Sequence, residues 1–223
     1  MTSTRKWTLD AKDEGGNDIS ARVSAEVEAL IEVTRFDHIA PGRVSILFLL
    51  TLFGAFKAGA INPFRVAQEI QALESGKPTG MKSPGQFKHP PLRGLWHQHY
   101  MQGGMSELAM NVKRGLKEFG IPYLQQKVNE AEEAGELRYF SVEDVAPLTR
   151  DAVEGNLQRL REAVNLTGEW IIFAKHAGQN YYLSLATHHK STHEDLRQQI
   201  DALCCREFPF LAELLACQSP ALC

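Results

Sequence analysis

Residues 168–190 read Gly-Glu-Trp-Ile-Ile-Phe-Ala-Lys-His-Ala-Gly-Gln-Asn-Tyr-Tyr-Leu-Ser-Leu-Ala-Thr-His-His-Lys, and no other stretch restricts the fold of this chain as strongly. Two apolar, aromatic runs flank a short polar connection containing Gly178, which is the sequence form of a β-hairpin. Strands are expected near 169–175 and 180–187. Alternation sets Trp170, Ile172 and Ala174 against Ile171, Phe173 and Lys175. It likewise sets Tyr181, Leu183 and Leu185 against Tyr182, Ser184 and Ala186. A two-stranded ribbon is marginal alone, so it needs a further strand or a helix face to pack on.

Most of the remaining chain carries helical periodicity. Val23, Val27, Leu30, Ile31 and Thr34 follow a 3.6-residue period after Ser20, a candidate cap, and Pro41-Gly42 is the expected stop. Residues 43–59 are apolar nearly all round, which predicts a central helix with other elements packed on it. Asn62-Pro63 opens the next helix, since Asn caps and Pro suits the first helical position. Helices are also expected over 105–119, 122–134 and 150–164, with a short strand at 137–140. Ser141-Val-Glu-Asp144 and Ser191-x-x-Glu194 both have the capping-box form; the helix opened by the second is expected to run to about Cys205. Residues 1–19 read as a loose arm with a short strand near Trp7, and the tail after Gln218 as loose.

Between Ser75 and Met105 the composition changes. Gly76, Pro78, Gly80, Pro84, Gly85, Pro90, Pro91 and Gly94 interrupt regular structure, while Trp96 and Tyr100 argue that the second half is ordered. No Asp or Glu occurs between Glu74 and Glu107, and Lys77, Lys82, Lys88 and Arg93 collect beside His89, His97 and His99. The expected organisation is a helical region over 1–75, a basic Pro/Gly-rich loop over 76–104, and an α+β region over 105–223 forming one compact unit with the N-terminal helices. The fold class is α+β, mainly helical, with a small antiparallel β-sheet built around the C-terminal hairpin.

Net charge is −3, so nothing global announces a polyanionic partner, although a local basic patch remains open. The longest apolar run, Val44 to Phe56, falls short of the roughly 20 residues that a membrane span requires, and no membrane partner is expected. Cys204, Cys205, Cys217 and Cys223 form no C-x-x-C pair and cluster near the end of the chain. That pattern argues against a zinc knuckle or disulfide framework and for a reduced, cytoplasmic setting. No phosphate loop, dinucleotide fingerprint or nucleophile elbow is present, and no cofactor is expected.

Seven of the eight histidines fall in two groups: His89, His97 and His99, then His176, His188, His189 and His193. Imidazole both takes and gives a proton near neutral pH and is the commonest metal ligand. Metal-free RNA cleavage needs a base for the ribose 2′-hydroxyl, an acid for the leaving 5′-oxygen, and cations to stabilise charge on phosphorus. His97, His99, His188, Lys175 and Arg93 are the candidate catalytic set. Lys88, His89, Trp96, Tyr182, His189 and Lys190 are the candidates for binding substrate, the aromatic ones by stacking on bases. The hairpin, with the helix that follows it, resembles the terminal hairpin of the RelE-like and barnase/EndoU-like ribonuclease toxins. That resemblance covers the last quarter of the chain. It implies a small twisted antiparallel sheet packed on helices, with catalytic His, Lys and Arg on its concave side. The long helical N-terminal part departs from those compact proteins.

The first functional expectation is therefore a metal-independent endoribonuclease or nucleic-acid-processing protein of bacterial type, with RNA or another anion as partner. One alternative is a non-enzymatic binding protein whose histidines are structural. Another is a metal-dependent hydrolase that uses His97 and His99, or His188, His189 and His193 with Glu194 or Asp195. Beside these stand plainer readings: His97 and His99 as hydrogen-bonding members of a folded loop, Trp170, Phe173, Tyr181 and Tyr182 as core, and Cys204 as a small buried apolar residue.

Overall fold

The computed structural model describes residues 7–216; Cys217, Cys223, the tail after Gln218 and the first six residues lie outside that range. The described residues divide into two compact units, one of residues 7–77, 84–102 and 169–216, the other of residues 78–83 and 103–168. In chain order, residues 103–168 of the second unit enter between two neighbouring strands of the first.

The first unit is built on a four-stranded antiparallel sheet of β1 (Gly85–Gln86), β2 (Trp96–Tyr100), β3 (Glu169–His176) and β4 (Gln179–Ala186), in that spatial order. Its helices are α1 (Ser20–Thr34), α2 (Phe36–Ile39), α3 (Ile46–Lys57) and α4 (Pro63–Ser75), then α9 (His193–Gln199), α10 (Cys205–Glu207) and α11 (Phe210–Ala216). One face of the sheet packs Ile171, Phe173, Tyr100 and Tyr182 against Val27, Phe36, Phe48, Leu52, Val66 and Ile70. The other packs Ile172, Ala174 and Leu183 against Leu196, Ile200, Cys204, Phe208 and Leu211. Fully burying a side chain such as Phe48, Leu52, Ile70 or Phe173 stabilises the fold by about 1.5–3 kcal/mol.

Helix α3 occupies the centre expected of it, with Leu47 in one cluster and Phe48, Leu49 and Leu52 in the other. Its cap is Ser45, whose Oγ accepts from the Phe48 N–H at 3.0 Å and donates to the Leu183 carbonyl at 2.8 Å. Asn62 caps α4, accepting from the Phe64 N–H at 3.0 Å, and Gly76 closes it in the left-handed conformation. The first helix is shorter than periodicity suggests. Arg35 takes a left-handed backbone (φ 59°) that breaks it before α2. Ser20 lies within its first turn rather than capping it, and the Asp18 carboxylate accepts the Ser20 N–H at 2.9 Å.

In the hairpin, Ile172 pairs with Ser184 and Phe173 with Tyr182, leaving Leu183 as an extra residue. Such a bulge reverses the alternation beyond it. Leu183 and Leu185 therefore lie on opposite faces, contrary to strict period-two reading. The helix expected from Ser191 begins instead with a tight turn at Lys190–Thr192 and passes through a widened turn at Ile200–Cys204.

The second unit contains α5 (Met105–Phe119), α6 (Pro122–Ala134), α7 (Val142–Arg150) and α8 (Asn156–Glu162), with a widened turn at Asp151–Gly155 joining the last two. Gly115 on α5 lets Asn156 approach so closely that a Cβ there would sit 2.6 Å from the Asn156 Cβ. Asn156 donates to the carbonyls of Gly120 and Ala152, both at 3.0 Å, and Asp151 accepts from Arg159 at 2.8 Å and from the Tyr123 N–H at 2.9 Å. Ser141 uses both its N–H and its hydroxyl to reach Asp144, at 3.0 and 2.9 Å, which starts α7. Residues 137–140 carry no regular secondary structure, so the strand expected there does not form.

Candidate functional site

The site is assembled on one face of the sheet. Alternation along β2 sends Trp96, Gln98 and Tyr100 toward α1–α4: Gln98 donates to Glu69 at 2.7 Å, and Tyr100 joins the Phe48 cluster. His97 and His99 point the other way. There they meet Trp170 of β3, whose ring centroid lies 4.8 Å from that of His97 and 6.2 Å from that of His99. The register of β2 on β3 explains this, since His99 is the direct partner of Trp170 and His97 that of Ile172.

Two further segments close on this centre. Phe87, just after β1, lies 4.8 Å from His97 and 5.3 Å from Trp170. Gly85 permits that approach, because a Cβ there would stand 2.7 Å from the His97 Cε1. From beyond β4, His188 comes within 4.4 Å of Trp170 and stacks on His99, with centroids 5.4 Å apart and planes 21° from parallel. His193 opens α9 with its ring 5.6 Å from Trp170 and its Nε2 3.5 Å from the Thr187 carbonyl, which fixes the connection carrying His188. His99 is 5% and His193 8% exposed, whereas His188, His189 and Lys190 are exposed at the surface.

The other expected residues divide by their surroundings. Lys88, His89 and Arg93 are exposed on the connection between β1 and β2, which Arg197 anchors by donating to the Pro91 carbonyl at 2.7 Å. Residues 85–97 form an ordered hairpin within the Pro/Gly-rich stretch, whose second half Trp96 and Tyr100 mark as ordered. Lys175 belongs to the opposite face of the sheet, where its Nζ sits 3.8 Å from the centre of the Trp96 ring. It does not join the histidines, and Trp96 is occupied by it. Tyr182 is fully buried, with its phenol donating to Glu74 at 2.6 Å, so it is core and cannot stack on a base. Among the described residues, no three His, Cys, Asp or Glu side chains are arranged to hold a metal ion.

Comparison with protein-family models, with curated proteins and with solved structures finds no match. The site is therefore read from its own chemistry. Four imidazoles surround one indole, with one of the four open to solvent and its stacked partner shielded behind it. Such an arrangement can hold a proton donor and a proton acceptor near each other. Trp170, read from the sequence as core, is half-buried against the cluster of Leu183 and Leu196 while its ring also meets the histidines; Phe87 and Gly85 are not among the sequence candidates. The parity of Trp170 with Ile172 and Ala174 was the available signal for its face, whereas nothing in the sequence marks Gly85 as the residue that admits His97.

No helix among the described residues is long and apolar enough to cross a membrane.

Proposed function

We propose that this chain processes RNA by metal-independent acid–base chemistry, with His188 and His99 as the working pair. The observation that carries this reading is their approach across 89 residues of sequence (188 − 99) to a stacked ring separation of 5.4 Å. His188, being exposed, is the group that meets substrate. His99 lies behind it as the positioning partner through which a proton is held. Lys190 and His189 follow directly in the chain and offer charge to a phosphate. In the reaction a base removes the proton of the 2′-hydroxyl, the 2′-oxygen bonds to phosphorus, and the bond from phosphorus to the 5′-oxygen breaks. An acid protonates the departing 5′-oxygen, so the products are a cyclic 2′,3′-phosphate and a 5′-hydroxyl end.

A second reading, an anion-binding protein with structural histidines, is favoured by the burial of His99 and by the tie of His193 to the Thr187 carbonyl. One experiment separates the two. Labelled RNA is incubated with the protein in chelator, and cleavage is compared with that of His188→Gln and Lys190→Gln. Cleavage to cyclic-phosphate ends, reduced about a hundredfold in His188→Gln, is the expected result. RNA that is retained but left intact by wild-type protein would establish the binding reading instead.

A further inference from the structure

Helix α4 presents two faces. Val66 and Ile70 enter the core, while Phe64, Ala67, Gln68, Gln71, Glu74 and Ser75, spaced three or four apart, form a second stripe. That stripe is one wall of a cleft of about 540 Å³ in the first unit. The opposite wall is the end of α1 with Val33 and Thr34, the break at Arg35, and α2 with His38 and Ile39. A concave space of this size, part apolar and carrying a few polar groups, has the form of a small-molecule site.

The polar groups already used decide what the cleft can take. The Thr34 hydroxyl donates to the Leu30 carbonyl at 2.6 Å, and that of Ser75 to the Ala72 carbonyl at 3.2 Å. Glu74 accepts from Tyr182 and Asn180 through one carboxylate oxygen and is paired with Arg43 through the other. Among the described residues, nothing engages the exposed Arg35 guanidinium, the His38 ring or the side-chain amides of Gln68 and Gln71. Glu32 and Asp37 neighbour Arg35 in sequence but line no part of the cleft. The one carboxylate of the cleft is therefore neutralised, whereas its one permanent cation is unspent.

The backbone at Arg35 is a second, independent mark. Its φ of 59° is a conformation that glycine takes without the steric cost of a Cβ. Residues other than glycine held in this region cluster at ligand clamps, where their cost is offset by function. Glycine would serve the turn from α1 to α2 equally well, but it would leave the cleft without a cation.

We infer that the cleft between α1–α2 and α4 binds a small amphipathic carboxylate. The planar guanidinium of Arg35 takes the carboxylate, to which its fork of donors is matched. The apolar body lies over Ile39 and Ala67 and covers Val33 and Phe64, which are 56% and 51% exposed.

The test titrates the isotope-labelled full chain with phenylbutyrate, with the neutral phenylbutyramide and with inorganic phosphate, and follows the amide chemical shifts. Phenylbutyrate is expected to move amides of 33–39 and 64–75, and to bind at least about tenfold more tightly than the amide or phosphate. Arg35→Gly should weaken it at least about tenfold while leaving the urea midpoint unchanged or higher, because glycine relieves the backbone. Arg35→Gln removes the charge and keeps a side chain, and should weaken binding to the same extent. Phe64→Ser, at the surface, should weaken it about fivefold. Circular dichroism would verify that each variant stays folded. No shifts, shifts confined to other segments, equal binding of the amide or phosphate, or wild-type affinity in Arg35→Gln would each overturn the inference.

Discussion

Tyr182 donates its phenolic proton to Glu74 at 2.6 Å, joining β4 to α4 across 108 residues of sequence. The same carboxylate accepts from Asn180 at 2.9 Å and is paired with Arg43, whose other nitrogen donates to the Asn180 carbonyl at 2.7 Å. Removing one member of a largely buried charged network leaves the rest unsatisfied. Glu74→Gln should cost about 2–4 kcal/mol of unfolding free energy in urea titrations, because the Arg43 guanidinium loses its counter-charge. Tyr182→Phe should cost about 1 kcal/mol, the usual net value of one hydrogen bond. A Glu74→Gln protein as stable as wild type would show that this network contributes nothing.

Two carboxyls impose opposite pH dependences. Burial pushes Glu74 up, but hydrogen bonds from Arg43, Tyr182 and Asn180, with the guanidinium charge, outweigh it and hold the group below its ordinary 4.5. Its stabilisation is present above that value and lost as pH falls through the folded one. Glu207 is raised above 4.5 by burial, although it accepts the Ile46 N–H. Its contribution is present below 4.5 and lost as pH rises through its folded value. Urea midpoints measured across the acid range should therefore show Glu74→Gln shrinking the loss below pH 4.5 and Glu207→Gln shrinking the change just above it.

Cys204 is fully buried, and burial pushes its thiol up to about 12. Thiolate is the nucleophile in alkylation, so native protein should leave Cys204 unlabelled by iodoacetamide at mildly alkaline pH. Peptide mass spectrometry should find it labelled only after urea is added. Rapid labelling in buffer alone would contradict this burial.

Gly115→Ala should destabilise the second unit by about 1–3 kcal/mol through overpacking against Asn156, more than the roughly 1 kcal/mol of helix propensity it gains. Hydrogen exchange should show the loss confined to α5 and α8. Unchanged protection there would mean that the two helices separate freely.

Some of this arrangement can be read directly from the chain, and the reason differs from element to element. The β3–β4 hairpin and the helices over 105–119 and 122–134 are legible because local pattern, turn residues and stop signals agree. Strand β2 is hidden: Trp-His-Gln-His-Tyr has three consecutive polar residues and Gly/Pro neighbours, and its strand character comes from pairing with β3 far along the chain. The bulge at Leu183 and the left-handed Arg35 leave no local mark, since neither uses a glycine. For the site, alternation along 96–100 already puts His97 and His99 on one face. The same parity rule sends Lys175 to the face opposite Trp170, so its separation from the histidines is legible. The arrival of His188 is not, because the connection that delivers it is fixed by tertiary contacts of His193.

The insertion of residues 103–168 between two adjacent strands has a kinetic consequence. The tight turn at Ala177–Gly178 lets β3 and β4 zip together locally, whereas β2 can dock only after a long intervening segment has closed on itself. The expected order is hairpin first and β2 last, and pulse-labelled exchange should protect amides of 169–186 before those of 96–100. Simultaneous protection would refute it. On this order the imidazoles of His97 and His99 reach the indole of Trp170 only at the final stage of assembly, and a partly folded chain lacks the histidine–indole cluster altogether.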